Sequence, residues 1–237
     1  MIEAGVRAVV LDIEGTTGSA DHVHEVLFPY ARARLADWLV AHRDEPAWRE
    51  ILHETQVLAS NRELDEHGVR ATLAAWSDQD VKAPPLKRIQ GLIWAEGYAA
   101  GTLSGHVYPD VPAALRRWRA AGVECHIYSS GSAAAQLNWF RHSGRGDLSR
   151  YLTRYFDLEN AGGKRDPDAY RTISRTLRVP PRHTLFASDV REELDAAASA
   201  DWQTVAVRRP GDPRGSTVPG HPTLRDLTGL DLHLPTP

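Results

Sequence analysis

Two carboxylates stand at the end of the first apolar run of this chain. Asp12 and Glu14 follow residues 6–11, a short and mostly apolar run in which three of the six residues are valine. Such a run predicts a strand buried on both faces of a parallel sheet. Side chains alternate along a strand, so acids two positions apart leave its end on one side and need a cation or a proton between them. With Gly15 next, the same pattern also suits an ordinary turn.

Two serines follow the second main apolar run. Ser129 and Ser130 come directly after residues 123–128 and precede Gly131. Their hydroxyls and the backbone amides that follow could hold phosphate oxygens, with the glycine allowing close approach. Serines before a helix are also common as plain N-caps, so this segment alone does not decide between the two roles.

A lysine and a third carboxylate occupy two later element boundaries. Lys164 follows two glycines and precedes a helix that we predict to begin at Asp166, and Asp189 follows the predicted strand 184–187. A loop lysine is ordinarily a solvated charge, and a strand-end aspartate can be the N-cap of the next helix. As the third acid at a strand end, Asp189 favours a metal site.

The acids form an all-oxygen ligand set. Asp12, a carbonyl near Glu14 and Asp189 suit Mg2+, which prefers oxygen ligands, keeps several waters and usually shares its ligands with a phosphate. Zinc would need His or Cys ligands in a patterned spacing, and the pair His22 and His24 has no partner motif. The sequence therefore predicts Mg2+ as the cofactor.

The segment after the first strand has a helical period. Val69, Leu73 and Trp76 fall at i, i+4 and i+7, which is the spacing of one buried helix face. About four helices are expected between the first strand and the sequence Tyr-Pro-Asp that ends at Asp110.

From Asp110 onward, predicted strands and helices alternate, and Asp110 itself is expected to N-cap the first of these helices. The predicted strands are residues 123–128, 155–157, 184–187 and 204–207, and the predicted helices that follow them are 133–142, 166–178 and 191–200. This alternation indicates right-handed βαβ units and a parallel sheet. Residues 209–222 are rich in Pro and Gly and are predicted to form a surface loop.

The composition excludes several classes of protein. The 237 residues are 42% hydrophobic and 25% charged, with a formal net charge of −3, so no basic excess indicates binding to nucleic acid or to an anionic membrane. Cys125, the single cysteine, lies in an apolar run and indicates a reducing compartment. We expect a cytoplasmic monomer with neither nucleic-acid nor membrane partners.

The four polar segments resemble the motifs of one enzyme superfamily. Asp-Ile-Glu-Gly-Thr-Thr at residues 12–17 resembles motif I of the haloacid dehalogenase (HAD) superfamily, in the form found in its enolase-phosphatase (acireductone synthase) family. Tyr-Ser-Ser-Gly-Ser at 128–132 and Ser-Asp-Val-Arg-Glu-Glu at 188–193 resemble motifs II and IV of that family. Lys164 resembles motif III, although Arg165 follows it directly and is a competing candidate.

The resemblance implies an α/β fold. Its core would be a doubly wound, parallel-sheet, HAD-like domain formed by residues 1–17 and 106–237. Residues 18–105 would form an inserted all-helical cap domain that closes over the site and excludes water.

The resemblance also implies an activity, which is Mg2+-dependent hydrolysis of a phosphoric monoester. The enzyme would enolise 2,3-diketo-5-methylthiopentyl 1-phosphate and then release its phosphate through an aspartyl-phosphate, giving acireductone in methionine salvage. The implied residues are Asp12, Glu14 and Lys164 for catalysis, Ser129, Ser130 and Lys164 for substrate binding, and Asp12, Glu14 and Asp189 for the metal. Two alternatives stay open: a HAD phosphatase acting on another small phosphate ester, and a non-catalytic phosphate-binding protein.

Overall fold

The computed structural model describes residues 1–235, which divide into two compact units. One unit consists of Met1–Ala20 together with the chain from Ser104 onward, and the other is Asp21–Leu103. The first contains the strands and the second is helical. That the helical unit acts as a cap stays a prediction.

Within residues 1–235, the first unit is built on a six-stranded sheet in which every pairing is parallel. The strands of the chain are β1 (Ile2–Gly5), β2 (Ala8–Leu11), β3 (Glu124–Tyr128), β4 (Leu152–Phe156), β5 (Thr184–Ser188), β6 (Gln203–Val207), β7 (Thr223–Leu224) and β8 (Leu230–His233). The large sheet has the order β4-β3-β2-β5-β6-β7. All four residues of β2 are buried, as a strand in the middle of a parallel sheet requires. The prediction of a parallel α/β fold is confirmed.

The helices of the core unit follow the strands in alternation. The helices of the chain are α1 (Ala20–His22), α2 (Phe28–Ala41), α3 (Pro46–Leu58), α4 (Glu66–Asp78), α5 (Pro84–Ala99), α6 (Val111–Ala120), α7 (Ala133–Arg141), α8 (Pro167–Leu177) and α9 (Arg191–Ser199). Helices α8 and α9 pack on one part of the sheet through a cluster that includes Tyr170, Ile173, Phe186 and Leu194. This packing holds the ends of β2 and β5 in fixed positions, because the side chains of the cluster are fully or almost fully buried.

Strands β1 and β8 form a separate two-stranded parallel sheet, which the sequence analysis did not predict. Each strand has only four residues, which is the lower limit for recognising an alternation of apolar and polar residues as a strand. The pairing joins the two ends of the described chain, and Trp118 of α6 donates a hydrogen bond to the Leu230 carbonyl at 3.2 Å. Strand β7 was also not predicted, because it has only two residues.

The expectation that the Asp110 side chain caps α6 is wrong. Asp110 precedes the helix, but its side chain makes no capping hydrogen bond. Its two carboxylate oxygens instead accept from Arg209 Nη1 and from the Leu227 backbone N–H, both at 2.7 Å. A charge-assisted bond to a buried guanidinium is stronger than an ordinary capping bond, so the remote partner takes the side chain.

The helical unit has its own apolar core. A π-helical turn at Val23–Leu27 leads from α1 directly into α2, and prolines occupy the first turns of α2, α3 and α5, where the missing N–H is not needed. The buried residues that form this core are Ala31, Leu35, Trp38, Leu39, Trp48, Ile51, Val69, Leu73, Ala83, Leu86, Ile89 and Ile93. Among the described residues, none of the helices is both long and apolar enough to cross a membrane.

Candidate active site

The carboxyl ends of the parallel strands line a cleft of about 560 Å³ in the core unit. Ligands of open α/β sheets bind at this edge, because the chain leaves every strand there. The charged residues that line the cleft are Asp12, Glu14, Asp189, Glu193, Lys164, Arg165 and Arg214. The structure therefore brings Asp12, Glu14, Lys164 and Asp189, each predicted separately, into one cleft.

Asp12 is held by the turn that follows β2. Its side chain is buried, its backbone N–H donates to the Ala187 carbonyl at 3.0 Å, and its own carbonyl accepts from Thr17 Oγ1 at 2.7 Å. The Ile13 carbonyl accepts from the three amides at positions 16–18. These bonds fix the carboxylate at the strand end, since the turn has little freedom left.

Arg209 stabilises the same turn through hydrogen bonds, a role that sequence reasoning missed. Its Nε and Nη2 donate to the Thr16 carbonyl at 2.9 and 2.5 Å, while Nη1 pairs with Asp110. The guanidinium also lies 4.1 Å from the ring centroid of Tyr108. Arg209 is buried, as is Val218, so the prediction that residues 209–222 form a surface loop is wrong at these two positions. No local pattern marked this arginine, because its partners are remote in sequence.

Lys164 contacts the predicted nucleophile. Its Nζ lies 2.5 Å from Asp12 Oδ1 and 2.7 Å from Glu193 Oε2, with only 10% of the side chain exposed. Arg165 lines the same cleft but is exposed. Of the two basic residues that competed in the sequence, Lys164 therefore reaches Asp12.

Glu193 is a site residue to which the sequence analysis assigned no role. It lies on α9 and bridges two parts of the site, accepting from Lys164 and from Ser188 Oγ at 2.9 Å. Its position four residues after Asp189 was the available signal, because that distance is about one helical turn. The ammonium group of Lys164 is therefore held by two carboxylates, those of Asp12 and Glu193.

Asp189 has one carboxylate oxygen engaged and one free. Oδ2 accepts from Arg214, whereas Oδ1 is buried and has no hydrogen-bond partner among residues 1–235. Gly15, at φ +75°, lies against this carboxylate so closely that a Cβ there would collide with it. Glycine is needed at this position both for its conformation and for its lack of a side chain.

The pKa of Asp12 is raised well above its usual range. Burial is the main cause; Lys164 opposes it, and the negative charges of Glu193, Asp189 and Glu14 reinforce it. Burial alone would lower the pKa of Lys164, but the two carboxylates beside it outweigh that effect and keep it protonated. A nucleophilic carboxylate has to be ionised, so this arrangement favours an additional cation near Asp12.

The two predicted phosphate-binding serines differ in position. Ser130 is exposed and lines the cleft. Ser129 is buried, and its Oγ accepts from the Gly131 amide at 3.3 Å. The N-cap of α7 is Ser132, which accepts from the Ala135 amide, so the capping alternative applies to neither predicted serine.

A metal ion in the cleft would have few side-chain ligands. Among residues 1–235, no group of three or more His, Cys, Asp or Glu side chains is arranged to hold one. Asp12 and Asp189 both line the cleft, and the remaining ligands would be main-chain or water oxygens. That donor set suits Mg2+, which retains several waters, better than zinc.

Comparisons with known proteins agree with this geometry. The family model for haloacid dehalogenase-like hydrolases matches residues 6–201. The enolase-phosphatase E1 of Frankia alni is 52% identical over 204 residues, which are 86% of each chain. The enolase-phosphatase E1 of Nocardia farcinica is 47% identical over 225 residues, covering 95% of this chain and 96% of the relative.

A solved structure extends the likeness to the whole fold. The UTR4 protein of Saccharomyces cerevisiae superimposes with a TM-score of 0.78 at 30% identity, covering 94% of this chain and 98% of that one. The sequence of the Nocardia farcinica relative and the fold of the UTR4 protein thus agree with this chain over nearly its full length. The chain is a haloacid dehalogenase-like hydrolase and belongs to the enolase-phosphatase E1 family.

Proposed function

We propose that this enzyme is an Mg2+-dependent enolase-phosphatase, an acireductone synthase of methionine salvage. Its substrate is 2,3-diketo-5-methylthiopentyl 1-phosphate, and its product is acireductone. Relatives named enolase-phosphatase E1, 42–52% identical over most of the chain, support this activity. The observation that carries the proposal is the ion pair of Lys164 with Asp12, 2.5 Å long, in the cleft at the strand ends.

The residues present fit a magnesium ion. The unpartnered, buried Oδ1 of Asp189 is an oxygen available for a cation, and the carboxylates of Glu14 and Glu193 line the same cleft as Asp12. The Ile13 carbonyl is already engaged by three amides, so the main-chain donor would be the carbonyl of Glu14. When bound, Mg2+ would neutralise negative charge near the phosphate and acidify the α-proton of the diketone.

Asp12 is the nucleophile of the phosphatase step. One of its carboxylate oxygens forms a bond to phosphorus while the bond from phosphorus to the ester oxygen breaks, giving an aspartyl-phosphate. Both reactants are anionic, and Lys164, fixed between Asp12 and Glu193, stabilises the charge that builds up on the phosphoryl oxygens. A fixed ammonium group needs no rearrangement during the step, which is why its two ion pairs matter.

Glu14 carries the protons. It lines the cleft and is exposed, so it can reach a substrate group without being tied to the buried ion pairs. It protonates the leaving enol oxygen, then takes a proton from the water that attacks the phosphorus of phospho-Asp12. Phosphate leaves, and both Asp12 and Glu14 return to their starting states.

The enolisation step needs a base near the α-carbon of the diketone. Glu14 is our candidate, because it is an exposed carboxylate of the cleft that is not in the ion pair with Lys164. The proton that Glu14 takes from carbon would stay on its carboxyl group and be delivered to the leaving enol oxygen, while the enolate oxygen takes its proton from solvent. The proton that Glu14 then takes from the attacking water would be released to solvent at the end of the cycle. One carboxylate would thus serve both reactions in turn.

Phosphate binding in the cleft involves residues other than the nucleophile. Ser130, which lines the cleft, and the segment at Ser129 are proposed to hold the phosphate together with Lys164. The helical unit is proposed to act as the cap that excludes water from the site. We propose a cytoplasmic monomer that binds neither nucleic acid nor membrane, and the net charge of −3 supports the lack of a nucleic-acid partner.

The test is turnover of the diketone phosphate with Mg2+, followed by enol absorbance and by released phosphate under anaerobic conditions. We expect both signals with the wild-type protein and neither with EDTA. Asp12→Asn should release no phosphate while its circular dichroism stays native, and the exposed control Asp37→Asn should behave as wild type. Phosphate release without an enol signal would instead indicate a simple phosphatase, and undiminished turnover in Asp12→Asn would exclude Asp12 as nucleophile.

A further inference from the structure

Arg214 contacts the predicted metal ligand Asp189, although no motif of the sequence includes it. It lies on the connection between β6 and β7, lines the cleft, and donates from Nη2 to Asp189 Oδ2. Its side chain is 46% exposed, so the contact lies at the mouth of the cleft. This contact accounts for one oxygen of Asp189 and leaves the other one, the buried Oδ1, without a partner among the residues described.

Asp212 binds the guanidinium of Arg214 through two hydrogen bonds, and this pair is called the fork below. The Nε and Nη2 atoms of Arg214 donate to the two oxygens of Asp212 at 2.9 and 2.7 Å, and the backbone N–H of Arg214 donates to the same carboxylate at 2.8 Å. Asp212 is also held by Arg208 Nη1 at 3.1 Å, and its side chain is only 8% exposed. Arg208 follows β6 directly, so the chain of contacts connects Asp189 to the end of a neighbouring strand.

The fork has two physical consequences. A planar guanidinium held by a bidentate carboxylate has little freedom, so it restricts the rotation of the Asp189 carboxylate that it touches. The negative charge of Asp212 also largely cancels the positive charge of Arg214, which reduces the repulsion between Arg214 and a cation beside Asp189. An uncompensated arginine at this place would compete with the cation.

We infer that Arg214 is a positioning residue that holds Asp189 as a one-oxygen ligand for the divalent cation, with Asp212 as its counter-charge. The inference rests on the metal site of the proposed function. Partners of this kind, outside the direct ligands, orient metal-binding carboxylates, and their removal typically weakens metal binding about 10- to 100-fold. Arg214 and Asp212 act as a unit, so the test removes both.

The experiment is calorimetric titration of MgCl2 into the metal-free protein without substrate. The double variant Arg214→Gln/Asp212→Asn keeps the net charge, so a change in Kd reports on the geometry of Asp189 rather than on total charge. We expect the Kd for Mg2+ to rise about 10- to 100-fold. The melting temperature of the metal-free protein should also fall, because Asp212→Asn removes the carboxylate partner of the buried Arg208, so the titration is carried out well below that melting temperature. Arg214→Lys should recover only part of the affinity, because an ammonium group cannot form the fork.

The matched control removes another bidentate ion pair. Arg32 and Asp78, both partly exposed, pair through two bonds of 2.7 and 3.0 Å in the helical unit, and Arg32→Gln/Asp78→Asn should leave the Kd for Mg2+ unchanged. Unchanged or tighter binding in the Arg214 double variant would overturn the positioning role, tighter binding indicating that Arg214 competes with the cation. If the wild-type protein itself binds no Mg2+, the metal site and this inference fail together.

Discussion

Lys164 Nζ lies 2.5 Å from Asp12 Oδ1, although the two residues are 152 positions apart in the chain. Asp12 directly follows the central strand β2, and Lys164 belongs to the loop that leads into α8. The loop has to curl over the sheet edge for this contact to form. The ion pair therefore shows that the segment of Asp12 and the segment of Lys164 form one site.

Glu193 should matter for catalysis through its ion pair with Lys164. In Glu193→Gln, the ammonium group loses one of its two carboxylate partners, so it is held less firmly where charge develops. We expect kcat to fall about 10- to 100-fold with a smaller change in KM. Glu192→Gln, the exposed neighbour on the same helix, is the control. Equal kinetics for the two variants would contradict the role of Glu193.

Substitution of Glu14 should affect proton transfer without affecting metal binding. We expect Glu14→Gln to lose both enol formation and phosphate release, because an amide cannot accept or deliver the proton at neutral pH. Its affinity for Mg2+ should be largely kept, since the donor that we propose is the backbone carbonyl. Calorimetry with MgCl2 and a phosphate-release assay measure the two effects. Intact turnover would rule out Glu14 as the proton carrier.

Arg209 should stabilise the fold and the turn that carries Asp12. Arg209→Met removes three hydrogen bonds and leaves Asp110 without its buried guanidinium partner. Breaking a buried ion pair from one side costs about 3–5 kcal/mol, so urea denaturation should show a loss of about 3 kcal/mol in the free energy of unfolding. The exposed Arg225→Gln is the comparison, and a loss as small as in that variant would refute the prediction.

His126 should make the fold sensitive to mild acid. Burial, with smaller effects from Arg154 and Arg119, lowers the pKa of His126 to about 4. Its two ring nitrogens have no hydrogen-bond partner among the described residues, and the half-exposed Glu124 carboxylate lies 3.4 Å from Nε2. An unfolded histidine titrates near pH 6.5.

As the pH falls from about 6.5 to about 4, the unfolded chain therefore gains a proton that the folded chain does not. The free energy of unfolding should fall over that interval by about 3 kcal/mol on account of this group, and its contribution should be constant above and below the interval. His126→Leu should reduce that slope, whereas His67→Gln, at an exposed position, should keep it. The measurement is urea denaturation at several pH values, and identical slopes for His126→Leu and wild type would count against the prediction.

Local patterns in the sequence were sufficient for the main elements of the core. The apolar run before Asp12 predicted a buried strand, and β2 lies in the middle of the parallel sheet with all its residues buried. In the helical unit, Val69 and Leu73 of the predicted apolar face are buried in α4. Periodicity and helix-start signals depend on neighbours within a few residues, so they can be read without knowing the fold.

The contacts that complete the site could not be read in this way. Arg209 and Arg214 lie in a stretch rich in Pro and Gly, and nothing near them in the sequence indicates the turn at Thr16 or the carboxylate of Asp189. The position of Asp110 before a helix predicted a cap, but its side chain instead accepts a hydrogen bond from the buried guanidinium of Arg209. Hydrogen bonds and ion pairs between remote segments depend on how loops return to the sheet.

The residue types and spacing of the chain by themselves determined an α/β fold with carboxylates, serines and a lysine at successive element ends, and the resemblance of these segments to known motifs implied a hydrolase. Tertiary structure alone decided that Lys164 rather than Arg165 reaches Asp12, and that Glu193 holds it there. The reason is physical, because the energy of an ion pair and the pKa of its groups depend on distances of a few ångströms and on burial. Those quantities exist only once the strand ends and loops have been brought together.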